Sequence, residues 1–142
     1  MRDKQGKTRY AALLCVFFAA CGGSPPEDAI RAAIAGMEAA VESREPRSFL
    51  EHVTDDFAGQ GGALDRSALR GYLAALLFGN ELVAVTLTPA KITLHGDARA
   101  TVELSAFVIG GARLPERGRR VAIKSGWRLE NGDWKAYAAT WE

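Results

Sequence analysis

The hydrophobic period of this chain changes once, near residue 80, and that change restricts the fold more than any other feature. Before it, apolar residues recur every three or four positions: Ile30, Ala33, Ile34, Met37, Ala40 and Val41, and later Leu69, Tyr72, Leu73, Leu76 and Leu77. That is the spacing of a buried helix face. After it they alternate: Val83, Val85 and Leu87, then Val102, Leu104, Ala106 and Val108, then Val121, Ile123, Ser125, Trp127 and Leu129. Alternation marks strands with one face covered. Helices that all precede the strands leave no crossover helices for a doubly wound parallel sheet. The expected class is therefore α+β, with three N-terminal helices packed in one curved antiparallel sheet. A chain of 142 residues has room for one such domain.

The N-terminal segment does not belong to that domain. Arg2, Lys4, Lys7 and Arg9 precede an uncharged run from Ala11 to Ala20, and Cys21, Gly22 and Gly23 follow. A basic start, a short apolar run and small residues are the layout of a secretory signal. The run is too short for a permanent spanning helix, which needs about 20 residues. Phe18-Ala19-Ala20-Cys21 resembles the lipobox of bacterial lipoproteins, with Phe18 where leucine is usual. The resemblance implies cleavage before Cys21 and acylation of its sulfur and new amino group. With Gly22 rather than aspartate following, it also implies the outer membrane rather than the inner one. Without the resemblance, Cys21 is a small residue beside an ordinary cleavage site. An unpaired cysteine in an exported chain favours the lipidated reading, and each buried acyl methylene would contribute about 0.8 kcal/mol to anchoring. The expected organisation is a signal peptide at 1–20, a lipidated tether at 21–26 and a folded domain at 27–142. The domain would face the periplasm in a bacterial cell envelope.

Charge excludes some partners. The chain carries 18 Lys and Arg against 17 Asp and Glu. Loss of residues 1–20 removes Arg2, Lys4, Lys7, Arg9 and Asp3, taking the net charge from +1 to about −2. No basic excess points to nucleic acid. Two cysteines and two histidines show no metal-binding spacing, so neither a metal nor another cofactor is expected. Cys15 lies in the signal, so no disulfide can form within the mature chain and packing alone must hold it.

Local signals mark the elements. Ser24-Pro25-Pro26-Glu27 predicts the start of the first helix, with Ser24 and Glu27 as a capping box. Arg31, Glu38 and Glu42 fall off its apolar stripe. Pro46 opens a second helix that carries Phe49, Leu50 and Val53 and ends near Asp55-Asp56. Gly59 to Gly62 reads as a loop. Asp65 caps the third helix, which ends at Gly79-Asn80. Thr88-Pro89-Ala90 interrupts the first alternating run, and Ile92 and Leu94 resume on the opposite parity. Gly96-Asp97 turns the chain, Gly110 to Arg119 is a longer loop, and Asn131-Gly132 is a hairpin turn. In the last strand Trp134, Ala136 and Ala138 should face opposite to Lys135, Tyr137 and Trp141.

This order of elements resembles the nuclear transport factor 2-like superfamily, which includes SnoaL-like cyclases, ketosteroid isomerases and scytalone dehydratase. The resemblance spans residues 27–142. It is carried by Ala39-Ala40-Val41, Phe49 to Phe57 with Asp55-Asp56-Phe57, the helix around Tyr72, and Gly126-Trp127-Arg128-Leu129 with Trp134-Lys135. It implies a cone-shaped half-barrel whose sheet and helices enclose a cavity, and it allows a homodimer through the sheet, with Tyr137 on the convex side. It implies no isomerase chemistry. The oxyanion-hole tyrosine of the ketosteroid isomerases would fall at Met37, their general base near Gly61 and their protonated acid near Ser125. None of these can replace the missing groups.

Four groups of candidate residues remain. His52 with Asp55 or Asp56, three or four positions apart on a helix, has the spacing of an imidazole oriented by a carboxylate. In the bland reading the same residues are the solvated end of an amphipathic helix. His95, beside Gly96, is a turn residue, and Arg117, Arg119 and Arg120 form a solvated or anion-facing cluster. Met37, Phe57, Tyr72, Ser125, Trp127 and Trp141 are the expected cavity wall, aromatic side chains being equally suited to a core. The leading expectation is a non-catalytic, lipid-anchored envelope protein that binds a small apolar ligand or mediates assembly. The alternative is a SnoaL-like enzyme, a cyclase, isomerase or hydrolase, with His52 and Asp56 as its acid-base pair.

Overall fold

The computed structural model describes residues 23–79, 82–110 and 118–142. The expected signal peptide, Cys21, Arg117 and most of the expected 110–119 loop lie outside the described residues. Three helices are present: α1 (Pro26–Glu42), α2 (Pro46–Leu50) and α3 (Arg66–Phe78). Seven strands accompany them: β1 (Val53–Gly59), β2 (Leu64–Asp65), β3 (Leu82–Leu87), β4 (Lys91–Leu94), β5 (Arg99–Gly110), β6 (Arg119–Glu130) and β7 (Asp133–Trp141).

The helices begin where proline or a side-chain cap allows. Pro25 is the N-cap of α1 and no side chain caps it, so the expected Ser24–Glu27 box is not formed. The helix starts one residue later than that box requires, and a proline N-cap has neither a side-chain oxygen nor an amide to take part in one. In α3 the Asp65 carboxylate accepts from the Ala68 amide at 2.8 Å, as expected. The second helix is shorter than its apolar spacing suggests. It stops at Leu50, and Val53 to Gly59 is strand rather than helix.

That strand corrects the expected architecture. The sheet runs β2-β1-β7-β6-β5-β3, with β4 also paired to β5. Since β1 lies parallel to β7, the sheet is mixed rather than antiparallel. It ends in β2 on one side and in β3 and β4 on the other, and among the described residues these edges do not pair. It is therefore an open seven-stranded sheet and not a cone-shaped half-barrel. The reason lies in chain order: β1 comes before α3, far from its partner, so it cannot join β7 through a hairpin. Thr88-Pro89-Ala90 splits what would be one edge strand. β3 pairs with Ala106 to Gly110 and β4 with Ala100 to Glu103. The break is pinned by the Ser105 amide, which donates to Thr88 Oγ1 at 2.8 Å.

The β6–β7 hairpin closes at Asn131-Gly132, whose φ angles of 52° and 86° suit the tight turn that the right-handed strand twist prefers. Further along, the register shifts: Gly126 faces Ala138 while Trp127 faces Ala136, leaving Tyr137 as an extra residue on β7. The Tyr137 ring fills the space above Gly126, where a Cβ would lie 2.7 Å from Tyr137 Cζ. The bulge reverses the parity of everything after it. Trp141 consequently lies on the helix side with Trp134, not opposite to it as strict alternation requires.

Two buried clusters sit between helices and sheet. Ile30 and Ala33 of α1 pack on Ala100, Val102, Trp127, Trp134 and Ala136. Leu50, Val53 and Phe57 pack on Leu69 and Leu73 of α3. Met37 touches both clusters.

Candidate functional site

Between the two clusters a cavity of about 610 Å³ remains, well within the range of small-molecule sites. Its sheet wall is the inward row of β6, Arg119, Val121, Ile123, Ser125 and Trp127, with Val102, Leu104, Ala106 and Val108 of β5 beside it. Its helix wall is Ile34, Met37, Glu38 and Val41 from α1 and Leu69, Tyr72, Leu73, Leu76 and Leu77 from α3. Phe57, Val85, Leu87 and Trp141 add to it, and so do the polar Gln60 and Glu142. The row from Val121 to Trp127 follows from alternation alone, because an antiparallel ladder holds every second side chain on one face.

All six residues expected at the wall, Met37, Phe57, Tyr72, Ser125, Trp127 and Trp141, border this cavity. Trp127 is 2% exposed, and its indole N–H donates to Ser125 Oγ at 2.8 Å. The Ser125 hydroxyl in turn donates to the Val102 carbonyl at 3.4 Å. Its proton and a lone pair are thus engaged, and no histidine borders the cavity to act as its base. Ser125 holds the tryptophan and is not an activated nucleophile. Tyr72 stacks on Trp141, ring centroids 6.2 Å apart at 28°. The Trp141 backbone is gripped by Gln60, whose Nε2 donates to its carbonyl at 3.0 Å and whose Oε1 accepts from its amide at 3.4 Å.

The expected acid-base pair is not assembled. Neither His52 nor Asp56 borders the cavity. Because the helix stops at Leu50, the two are separated by extended chain, where four residues span about 13 Å rather than one turn. The His52 ring lies against α1 at Gly36. Asp56 takes both guanidinium arms of Arg128, at 2.8 and 3.0 Å. Arg128 also donates to Glu130 at 2.7 and 2.9 Å and lies over the Tyr137 ring with Arg99. Arg128 holds the Asp56 carboxyl down at about 2, and the two carboxylates raise the guanidinium above its ordinary value. This cluster ties β6 to β1 across the bulge in β7, a structural task. The remaining histidine, His95, is exposed and pairs with Thr101 Oγ1 at 2.8 Å.

Sequence reasoning missed several polar residues of the wall. Glu38 was expected on the solvent side of α1, yet it borders the cavity. The signal was present, since Glu38 lies four residues after Ile34 and three before Val41, on one helix face. Arg119 and Arg120, read as one cluster, separate by alternation: Arg119 borders the cavity, while Arg120 donates to Ser105 Oγ on the outer face at 3.1 Å and covers Phe107. Among the described residues no group of histidine, cysteine or carboxylates could hold a metal, and no helix is long and apolar enough to cross a membrane.

No protein-family profile and no curated protein matches the sequence. Solved structures do match the fold. An NTF2-like protein from Cytophaga hutchinsonii superimposes with a TM-score of 0.65 at 20% identity, over 82% of this chain and 97% of the other. An NTF2-like protein of unknown function from Pseudomonas putida gives 0.68 at 18% identity, over 82% and 84%. A candidate scytalone dehydratase from Novosphingobium aromaticivorans gives 0.69 at 14% identity, over 82% of each. These likenesses show the fold, which is shared with proteins described as NTF2-like, and a shared fold does not by itself assign an activity.

Proposed function

We propose that this chain is a non-catalytic binding domain that takes a small apolar ligand between its helices and its sheet, and that Cys21 anchors it by lipid in a bacterial cell envelope. One observation carries the binding reading. The cavity is walled almost wholly by aliphatic and aromatic side chains, and its central hydroxyl, Ser125, is already used in holding Trp127. A wall of this kind favours a ligand through the area it removes from water, at about 25 cal/mol per Å², and no histidine borders it to work with its carboxylates. The anchor rests on the Phe18 to Cys21 pattern. It would hold the domain five residues before α1, on a tether of about 17 Å when extended.

Every element described lies within residues 24–142, so this portion carries the whole fold. Native mass spectrometry of it, purified without detergent, is expected to show a co-purified small molecule or an adduct with an added hydrophobic dye. Protein that stays ligand-free with every such dye would refute the binding reading. The same spectra report oligomeric state. A ligand-free dimer would favour assembly through the outer sheet face, where Phe107 and Ile109 are 43% and 50% exposed.

A further inference from the structure

Three charged side chains border the cavity: Glu38 of α1, Arg119 at the start of β6, and Glu142 just after β7. They are not equivalent. Arg119 and Glu142 are exposed, whereas Glu38 is half-buried, and a charge partly withdrawn from water acts on its neighbours more strongly than one that solvent and salt screen. Glu38 takes part in none of the ion pairs formed among the described residues. Its own helix offers no counter-charge. One turn back lie Ile34 and Ala35, and one turn on lie Val41 and Glu42, the positions that a helical side chain can reach. The last turn of α1 holds no basic residue, and the exposed Arg44 beyond the helix end does not border the cavity. Ile34, Met37 and Val41, beside Glu38 on the cavity side of α1, carry no side-chain donor. The lining therefore holds two negative charges and one positive, and the least exposed of the three is negative and unpaired.

We propose that the ligand carries a cationic group, an ammonium or an amidinium, on its apolar body, and that Glu38 receives that group. The inference rests on the binding reading above. The body gains from the area it removes from water whatever its charge. The cation adds attraction to a carboxylate that has no other counter-ion, and an anion in its place is repelled. Glu38 thus decides which sign of charge the cavity admits, while the aliphatic and aromatic wall supplies the affinity common to all. At about 6 Å and an effective dielectric constant of about 40, a full pair of opposite charges changes affinity by a factor of about ten.

The test uses three probes built on one ring system, each substituted on the central ring: anthracenylmethyl trimethylammonium, anthracenemethanol and anthracenecarboxylate. Each is titrated by fluorescence against residues 24–142, the portion that carries the whole fold. The cation is expected to bind about ten-fold more tightly than the alcohol, and the carboxylate more weakly than either. Glu38→Gln keeps the size of the side chain and removes its charge, so it should erase the cation's advantage and leave the alcohol's affinity unchanged. Glu142→Gln, at an exposed position, should change that advantage by less than about two-fold. Equal affinity for cation and alcohol, or an advantage that survives Glu38→Gln, overturns the proposal. If the alcohol still binds in that case, the binding reading stands and only the charge preference is refuted. If none of the three binds, both fall. Should Glu38→Gln fail to fold, the order of the three affinities in the unmodified protein and in Glu142→Gln decides, and the cation must lead in both.

Discussion

Gly36 and His52 offer a test of whether the histidine is structural. Gly36 lies inside the 17-residue helix α1, where alanine is ordinarily better by about 1 kcal/mol. The site does not offer that gain freely. A Cβ there would lie 2.5 Å from His52 Nε2 and 3.0 Å from Cε1, well inside the 3.5–4.0 Å at which heavy atoms attract. Gly36→Ala must therefore displace the imidazole, and overpacking costs about 1–3 kcal/mol. His52 is half-buried and the atoms met are the far end of its side chain, so the lower end of that range applies and the substitution should be neutral or mildly destabilising. In a His52→Ala background the obstacle is gone and Gly36→Ala should stabilise by about 1 kcal/mol. Urea unfolding of the wild type, both single variants and the double variant gives the coupling directly, with about 1–2 kcal/mol expected. The reasoning is refuted if Gly36→Ala stabilises equally in both backgrounds, because the imidazole would then not occupy the space above Gly36.

Three further outcomes follow from the geometry. Because the Asp56 carboxyl lies at about 2 in the native state, below its ordinary 3.8, the unfolded chain holds that proton more tightly. The pair's contribution to stability is then complete above about pH 4 and lost as pH falls through about 2. The stability difference between wild type and Asp56→Asn, followed by urea unfolding, should shrink across that window and stay constant above it. Ser125→Ala leaves the Trp127 indole N–H without its partner beside an apolar cavity, at a cost of about 1–3 kcal/mol in thermal or urea unfolding. Ser125→Thr, which keeps the hydroxyl, should lose less. Cys21→Ser should abolish incorporation of labelled palmitate and release the protein from membranes, and unchanged labelling would exclude Cys21 as the acylated residue.

The sequence was most informative where structure is local. The stripes of α1 and α3, the Asp65 cap and the Asn131-Gly132 turn are each set by a few neighbouring residues, and all but the first cap of α1 lie where the spacing puts them. Val53 to Gly59 was not legible. Phe49, Leu50 and Val53 have helical spacing, and only pairing with a strand some eighty residues later makes the segment extended. Missing that strand also misread the sheet as antiparallel throughout, where β1 and β7 run parallel, and it brought His52 and Asp56 together on a helix that ends before either. The Tyr137 bulge was hidden for a different reason: alternation has no local sign of an extra residue. Gly126 on the facing strand is the one trace, since it alone leaves room for the ring. Trp141 was named for the cavity wall although strict alternation turned it away.

The open sheet bears on how the protein behaves at high local concentration. An unpaired strand edge is a template for another chain, and the risk grows with its length and straightness. Here the twelve-residue strands β5 and β6 and the nine-residue β7 all lie inside the sheet. The outer positions are held by a two-residue strand on one side and, on the other, by two short strands separated at Pro89, the second opening on a lysine. A domain that does not close its sheet thus shows other chains only fragments of an edge. Replacing Pro89 with a strand-forming residue would be the shortest route to making it aggregate.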